Sequence, residues 1–172
     1  MEWVIALIVG LIVGAVGCYF GLTYYQNAQG SNRRLLAEEA VAFVAAEDRP
    51  GSVRVASAAG EAAITQDHEE IRYQPLSGDP LEVGGEARHS LAGWLEASWD
   101  GPYPDAVVQL LDQFRAERTG DLIVVAREGF DFRKRFEVPE HKSGHGSLIR
   151  SHMQIPVWTS VPGPATPIRS VD

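Results

Sequence analysis

The hydropathy pattern is most extreme at the start of the chain. From Trp3 to Tyr25, WVIALIVGLIVGAVGCYFGLTYY, no residue is charged. At about 1.5 Å per residue this run would reach roughly 34 Å as a helix, enough to cross a hydrocarbon core about 30 Å thick. Residues 1–28 are therefore predicted to form a transmembrane anchor, with Trp3, Tyr19, Tyr24 and Tyr25 as interfacial aromatics. A cleaved secretory signal fits poorly, because Met1-Glu2 carries no positive charge and the apolar run is too long. AVGC, from Ala15 to Cys18, lacks the leucine and the basic start of a lipoprotein box.

The pattern then changes period. In residues 29–51, Leu35, Leu36, Ala40, Phe43 and Val44 recur at helical spacing, Glu38 and Glu39 fall opposite them, and Pro50-Gly51 supply a stop. This predicts an amphipathic helical connector. From Ser52 the rhythm becomes that of strands. Val53, Val55 and Ser57 alternate with other residues, Ala58-Ala59-Gly60 reads as a turn, and Ala63–Thr65 and Ile71–Tyr73 read as further short strands. Asp79-Pro80 ends this unit, and Gly84-Gly85 leads to a short helix over His89–Trp99 with Leu91, Trp94 and Leu95 on one side.

The most regular segment is Gly101–Phe132. Pro104 and Asp105 suit a helix start, Val107, Val108, Leu110, Leu111 and Phe114 form an apolar stripe, and Gly120 suits the position after the helix. DLIVVA then has the continuous apolar character of a buried, parallel-type strand. Residues 52–172 are thus predicted to be an α/β domain. In such sheets function gathers beyond the carboxyl end of a strand, which here means Arg127 onward.

Charge and composition narrow the picture. A net charge of −8 in 172 residues, with no basic stripe, argues against nucleic acid as a partner. One cysteine excludes an internal disulfide framework. Arg33 and Arg34 follow the span while Glu2 precedes it, so the positive-inside bias places the soluble part in the cytoplasm behind a single-pass anchor in the cell membrane. Gly10, Gly14, Gly17 and Gly21 contain Gly-x-x-x-Gly steps, which either allow a homo-oligomeric helix contact or reflect the frequency of glycine in membrane spans.

Candidate chemistry concentrates in PEHKSGHGSLIRSHMQIPVW, Pro139 to Trp158, which holds three of the five histidines. His141 and His145 are four apart, the spacing of helical zinc pairs, but Gly144 and Gly146 each disfavour a helix by about 1 kcal/mol. The stretch is therefore read as a loop. One imidazole suits Zn, Mn or Fe and supplies one of the four to six ligands such an ion takes. Spacing alone leaves metal ligation and ordinary surface polarity both open.

Four stretches, YQPLSGDPL, GDLIVVAREGFDF, PEHKSGHGSLIRSHMQIPVW and the closing PIRSVD, carry a resemblance. From about Val53 to Asp172 the chain resembles the C-terminal part of type I phosphodiesterase/nucleotide pyrophosphatase proteins of the alkaline phosphatase superfamily. The resemblance implies a partial alkaline-phosphatase-like sandwich, an incomplete sheet with flanking helices. It also implies that His145, within Ser143-Gly144-His145-Gly146, is a ligand to one of two catalytic metals, with His141 a weaker candidate and His152 an accompanying residue. Zn or Mn would be the ion.

The departures from that pattern are as informative. The family's Thr or Ser nucleophile beside a metal-bound Asp has no counterpart, and neither does its Asp-x-x-x-His pair. Asp67-His68 is an Asp-His dipeptide, but Glu69-Glu70 and the flanking strands make it a hairpin turn. Two-metal phosphoryl transfer needs an activated nucleophile and a clamp on both attacking and leaving oxygens. The reading is a membrane-anchored, truncated or degenerate phosphodiesterase with no catalytic residue of its own, its missing half supplied by a partner or lost upstream. A non-catalytic membrane-tethered interaction or assembly domain is the alternative.

Overall fold

The computed structural model describes residues 35–130, 132, 146–163 and 166–169. The predicted transmembrane anchor at residues 1–28 lies outside them. Among the described residues no helix is long and apolar enough to cross a membrane. All described residues except Leu35 belong to one compact unit, Leu36–Asp172.

This unit is α/β, built on an open six-stranded sheet in the order β5-β4-β3-β2-β1-β6, with every neighbouring pair antiparallel. The strands are β1 (Val41–Arg49), β2 (Ser52–Ser57), β3 (Gly60–Asp67), β4 (Glu70–Gly78), β5 (Ala87–Ser90) and β6 (Ile123–Ala126). Helices α1 (Leu91–Ser98) and α2 (Ala106–Arg115) lie between β5 and β6, and a single turn, α3 (Arg150–Met153), follows.

The predicted helical connector is corrected by β1. Residues 41–49 are a strand inside the sheet, paired with β2 on one side and β6 on the other. Val41 to Ala46 are all buried, on both faces of the strand. A run that is apolar on both sides satisfies helical and strand periodicity equally well, and β-branched Val41 and Val44 with aromatic Phe43 suit the sheet. Pairing with distant β6, invisible to local spacing, decides between them.

The hairpins follow the predicted punctuation. Asp67 pairs with Glu70 across a two-residue turn in which His68 takes a positive φ of 55°. At the other hairpin Gly60 has φ of +132°, and a Cβ placed there would lie 1.7 Å from the Ser77 carbonyl oxygen. Only glycine lets β3 and β4 approach so closely at that point.

In an antiparallel ladder, directly opposed residues share a face. Ala45, Val55 and Ala62 are therefore aligned, as are Val53, Ile64 and Tyr73. Together with Phe43, Ile71 and Val125 they form the floor on which the helices pack. Helix α2 buries Ala106, Val107, Val108, Leu110 and Leu111 against it, as its apolar stripe predicts. Helix α1 buries Trp94 and Leu95, and Trp94 Nε1 donates to the Ile71 carbonyl at 2.8 Å. Leu91, predicted to share that face, is instead 44% exposed at the first turn.

Two further expectations are corrected. Strand β6 is antiparallel to β1 and stands at the end of the sheet. Four apolar residues specify burial but not direction, and no crossover helix joins β6 to its neighbour β1 in sequence. Gly120 does not close α2, which ends at Arg115 with Ala116 extended beyond it. Asp105 does precede α2, but at φ 58° its carboxylate makes no cap. It faces Arg169, whose Nε and Nη2 donate to its two oxygens at 2.7 and 2.6 Å.

Candidate functional site

The chain beyond β6 leads into a concave groove. Arg127 extends the ladder by donating its backbone N–H to the Ala40 carbonyl at 2.9 Å. Its side chain turns back, and Nε donates to the Val41 carbonyl at 3.0 Å. Gly129, at φ 85°, helps turn the chain, and the Phe130 N–H closes that turn on the Arg127 carbonyl. The groove beside this corner has a volume of about 720 Å³, and its lining includes Ala42, Tyr103, Arg127, Glu128, Arg150 and Ser151.

The far wall of the groove is α3, held in place through Arg150. The backbone N–H of Arg150 donates to the Pro102 carbonyl, and Nη1 and Nη2 donate to the Asp100 carbonyl and carboxylate at 2.9 and 3.1 Å. Nε reaches Gln154, whose own amide donates to the Trp99 carbonyl at 2.6 Å. Ser151 Oγ then donates to Glu128 Oε1 at 3.3 Å across the groove. The segments GDLIVVAREGF and SLIRSHMQIPVW, remote in sequence, thus meet around one cavity.

Tyr103 supplies an aromatic wall. Tyr103 packs edge-on against Phe43, with ring centroids 5.1 Å apart at 89°. Burial pushes its phenol pKa upward and the charge of Glu82 adds to this, while the nearby Arg127 guanidinium opposes both. A protonated phenol and a tethered guanidinium therefore face the same space.

The predicted metal ligands are distributed differently. His145 and His141 lie outside the described residues. The description resumes at Gly146, whose φ is 95°, and Ser147 follows with its Oγ buried and without a hydrogen-bond partner among the described residues. His152 is on α3 and exposed. Asp67 and His68 occupy the tip of the β3–β4 hairpin with side chains 72% and 95% exposed, as a turn requires. No group of three or more His, Cys, Asp or Glu is placed to hold a metal among the described residues.

Sequence reasoning pointed to Arg127 onward as a functional corner but singled out neither Tyr103 nor Arg150. The Arg-Glu that interrupts the apolar run of β6 was the available signal for the first corner. The pairing of Arg150 with the 99–102 loop had no local signal at all. No protein family, curated protein or solved structure matches this chain.

Proposed function

We propose that the chain is a membrane-anchored, partial phosphodiesterase/nucleotide pyrophosphatase-like protein of the alkaline phosphatase superfamily. In this reading the sheet and its helices are an incomplete version of that superfamily's sandwich. The loop carrying His145, with His141 as a weaker second ligand, keeps one corner of a two-metal site suited to Zn or Mn. The chain does not hydrolyse phosphoesters alone; a separate partner carries the nucleophile and the remaining ligands. The anchor is single-pass in the cell membrane, with the α/β unit on the cytoplasmic side.

The observation that carries this reading is the meeting of two motif segments at the groove, through Ser151 and Glu128. The buried hydroxyl of Ser147, two residues from His145 and without a partner among the described residues, supports it, since leaving such a group unsatisfied costs about 1–3 kcal/mol unless something else engages it. The test is turnover of bis-(p-nitrophenyl) phosphate by the purified chain with added Zn or Mn. The reading calls for no turnover above the metal-only blank, and sustained turnover abolished by His145→Ala would refute it.

A second reading, a membrane-tethered interaction domain without catalytic ancestry in its role, draws on a different observation. Ile155, Val157, Trp158 and Val161 are 66%, 63%, 91% and 68% exposed in one segment outside helix and strand. Crosslinking in membranes separates the two: partner capture that survives His145→Ala but fails when Gly10, Gly14, Gly17 and Gly21 are replaced favours the second.

A further inference from the structure

The groove contains a pair of groups that nothing in the metal-loop reading uses. Among the described residues the Arg127 guanidinium is anchored through Nε alone, to the Val41 carbonyl of β1, which sets its orientation. No described residue accepts from its two Nη groups, and no described residue bonds the Tyr103 hydroxyl. Both side chains line the same cavity, and the charge of Arg127 is felt by the Tyr103 phenol. A guanidinium whose Nη donors no described residue engages, beside a neutral phenol, is a donor set for an oxyanion.

The rest of the lining specifies what the anion is attached to. Ala42, Pro102 and Ile149 give the cavity apolar walls, and Tyr103 adds a ring face fixed by Phe43. A volume of about 720 Å³ is within the range of small-molecule sites. The second guanidinium in the lining, Arg150, is already paired with Asp100 and braces the wall. The one lining carboxylate, Glu128, accepts only the 3.3 Å contact from Ser151 and weakens any anion nearby.

The geometry points to a binding site for a small organic phosphate with a short apolar or aryl body, its oxyanion held by Arg127 Nη and Tyr103 Oη and its body against Ala42, Pro102 and Ile149. This deepens the reading of the groove as a ligand site and uses none of the metal-loop residues. Arg127 is exposed at the mouth of the groove, so affinity is modest, with a Kd on the order of 1 mM.

The test is ligand-observed NMR titration of the full chain, in detergent with EDTA present, using phenyl phosphate as probe. Benzoate and benzyl alcohol are run as planar-anion and neutral comparisons. Phenyl phosphate should bind, benzoate more weakly, and benzyl alcohol not measurably. Arg127→Gln should weaken phenyl phosphate about tenfold or more, the loss expected for a charge-assisted pair. Tyr103→Phe keeps the contact with Phe43 and should weaken it by about threefold. Glu128→Gln should tighten it. If Arg127→Gln disturbs the β6 edge, Tyr103→Phe and Glu128→Gln still decide the matter by their opposite signs. Absence of binding, or binding indifferent to Tyr103 and Glu128, overturns the proposal. Because EDTA is present throughout, failure here leaves the metal-loop reading untouched, and failure of that reading leaves this one standing.

Discussion

Removing one buried hydroxyl from β4 should destabilise the protein by an amount set by a single carboxylate. Tyr73 is fully buried on β4, and its Oη donates to Asp79 Oδ1 at 2.6 Å while accepting the Leu81 N–H at 3.3 Å. Asp79 also accepts from the backbone N–H groups of Val83 at 3.1 Å and Gly84 at 2.7 Å, so it organises the whole turn after β4. A hydrogen bond to a charged partner contributes about 1.5–3 kcal/mol, and Tyr73→Phe removes one while stranding the Leu81 donor. The expected cost is about 2–3 kcal/mol. Asp79→Ala strands Tyr73 Oη and two backbone donors and should cost about 3–4 kcal/mol. Since both changes delete the same bond, the double variant should fall short of additivity by about 1.5–2 kcal/mol.

The same contact has a pH signature. Burial opposes ionisation of Asp79, but hydrogen bonds from Tyr73 and from the backbone of Gly84, Val83 and Gly85 outweigh it and lower the carboxyl pKa. Burial, reinforced by the Asp79 carboxylate, raises the Tyr73 phenol far beyond its usual range, so the phenol stays a donor at any working pH. A carboxyl depressed on folding stabilises the native state above its unfolded pKa of about 4, and that stability is lost as pH falls through the folded value. Urea unfolding followed by tryptophan fluorescence, with Trp94 as the buried reporter, measures both effects. The gap between the native sequence and Asp79→Asn should be full near pH 6 and narrow as the pH falls below 4. A Tyr73→Phe cost under about 0.5 kcal/mol, strict additivity in the cycle, or a gap constant with pH would refute the reasoning.

Two other sites probe the packing of the fold. Asp105 is 2% exposed, and Arg169 holds both its oxygens and also donates to the Leu91 carbonyl, so Arg169→Ala should cost about 3–5 kcal/mol by stranding a buried carboxylate. The double variant Arg169→Met with Asp105→Leu should recover much of that loss in the urea midpoint, and no recovery would mean that the pair does more than neutralise itself. Gly60→Ala would drive a Cβ into the Ser77 carbonyl at a φ of +132°, and should lower stability by at least about 1–3 kcal/mol with loss of hydrogen-exchange protection at the β3–β4 end.

How much of this was legible in the sequence depended on whether a local pattern had one solution. The alternation of Val53 and Val55, the turns at Gly60 and His68, and the stripe of α2 each had one, and each appears where the pattern places it. Residues 41–46 had two, because a stretch buried on both faces carries no periodic contrast, and β1 was read as part of a helix. The direction of β6 was unreadable for a related reason: Ile123–Ala126 record burial alone, and only the distant β1 ladder sets polarity. At the candidate site, Arg127 was reached from the rule for the carboxyl end of a parallel-type strand, although β6 is antiparallel to its neighbour. Tyr103 and Arg150 enter the groove through contacts 60 and 50 residues apart in sequence, Tyr103 on Phe43 and Arg150 on Asp100, which no spacing rule encodes. His145 stood out because histidine between glycines is conspicuous, and the resemblance gave it a role.

The measurement that bears most directly on the proposed function is the zinc stoichiometry of the purified full chain, by equilibrium dialysis and elemental analysis, compared with His145→Ala. One retained corner of a two-metal site predicts fewer than one tightly held ion per chain, with weak residual binding that His145→Ala reduces further. Two tightly held ions per chain, or residual binding unchanged by His145→Ala, would contradict the account.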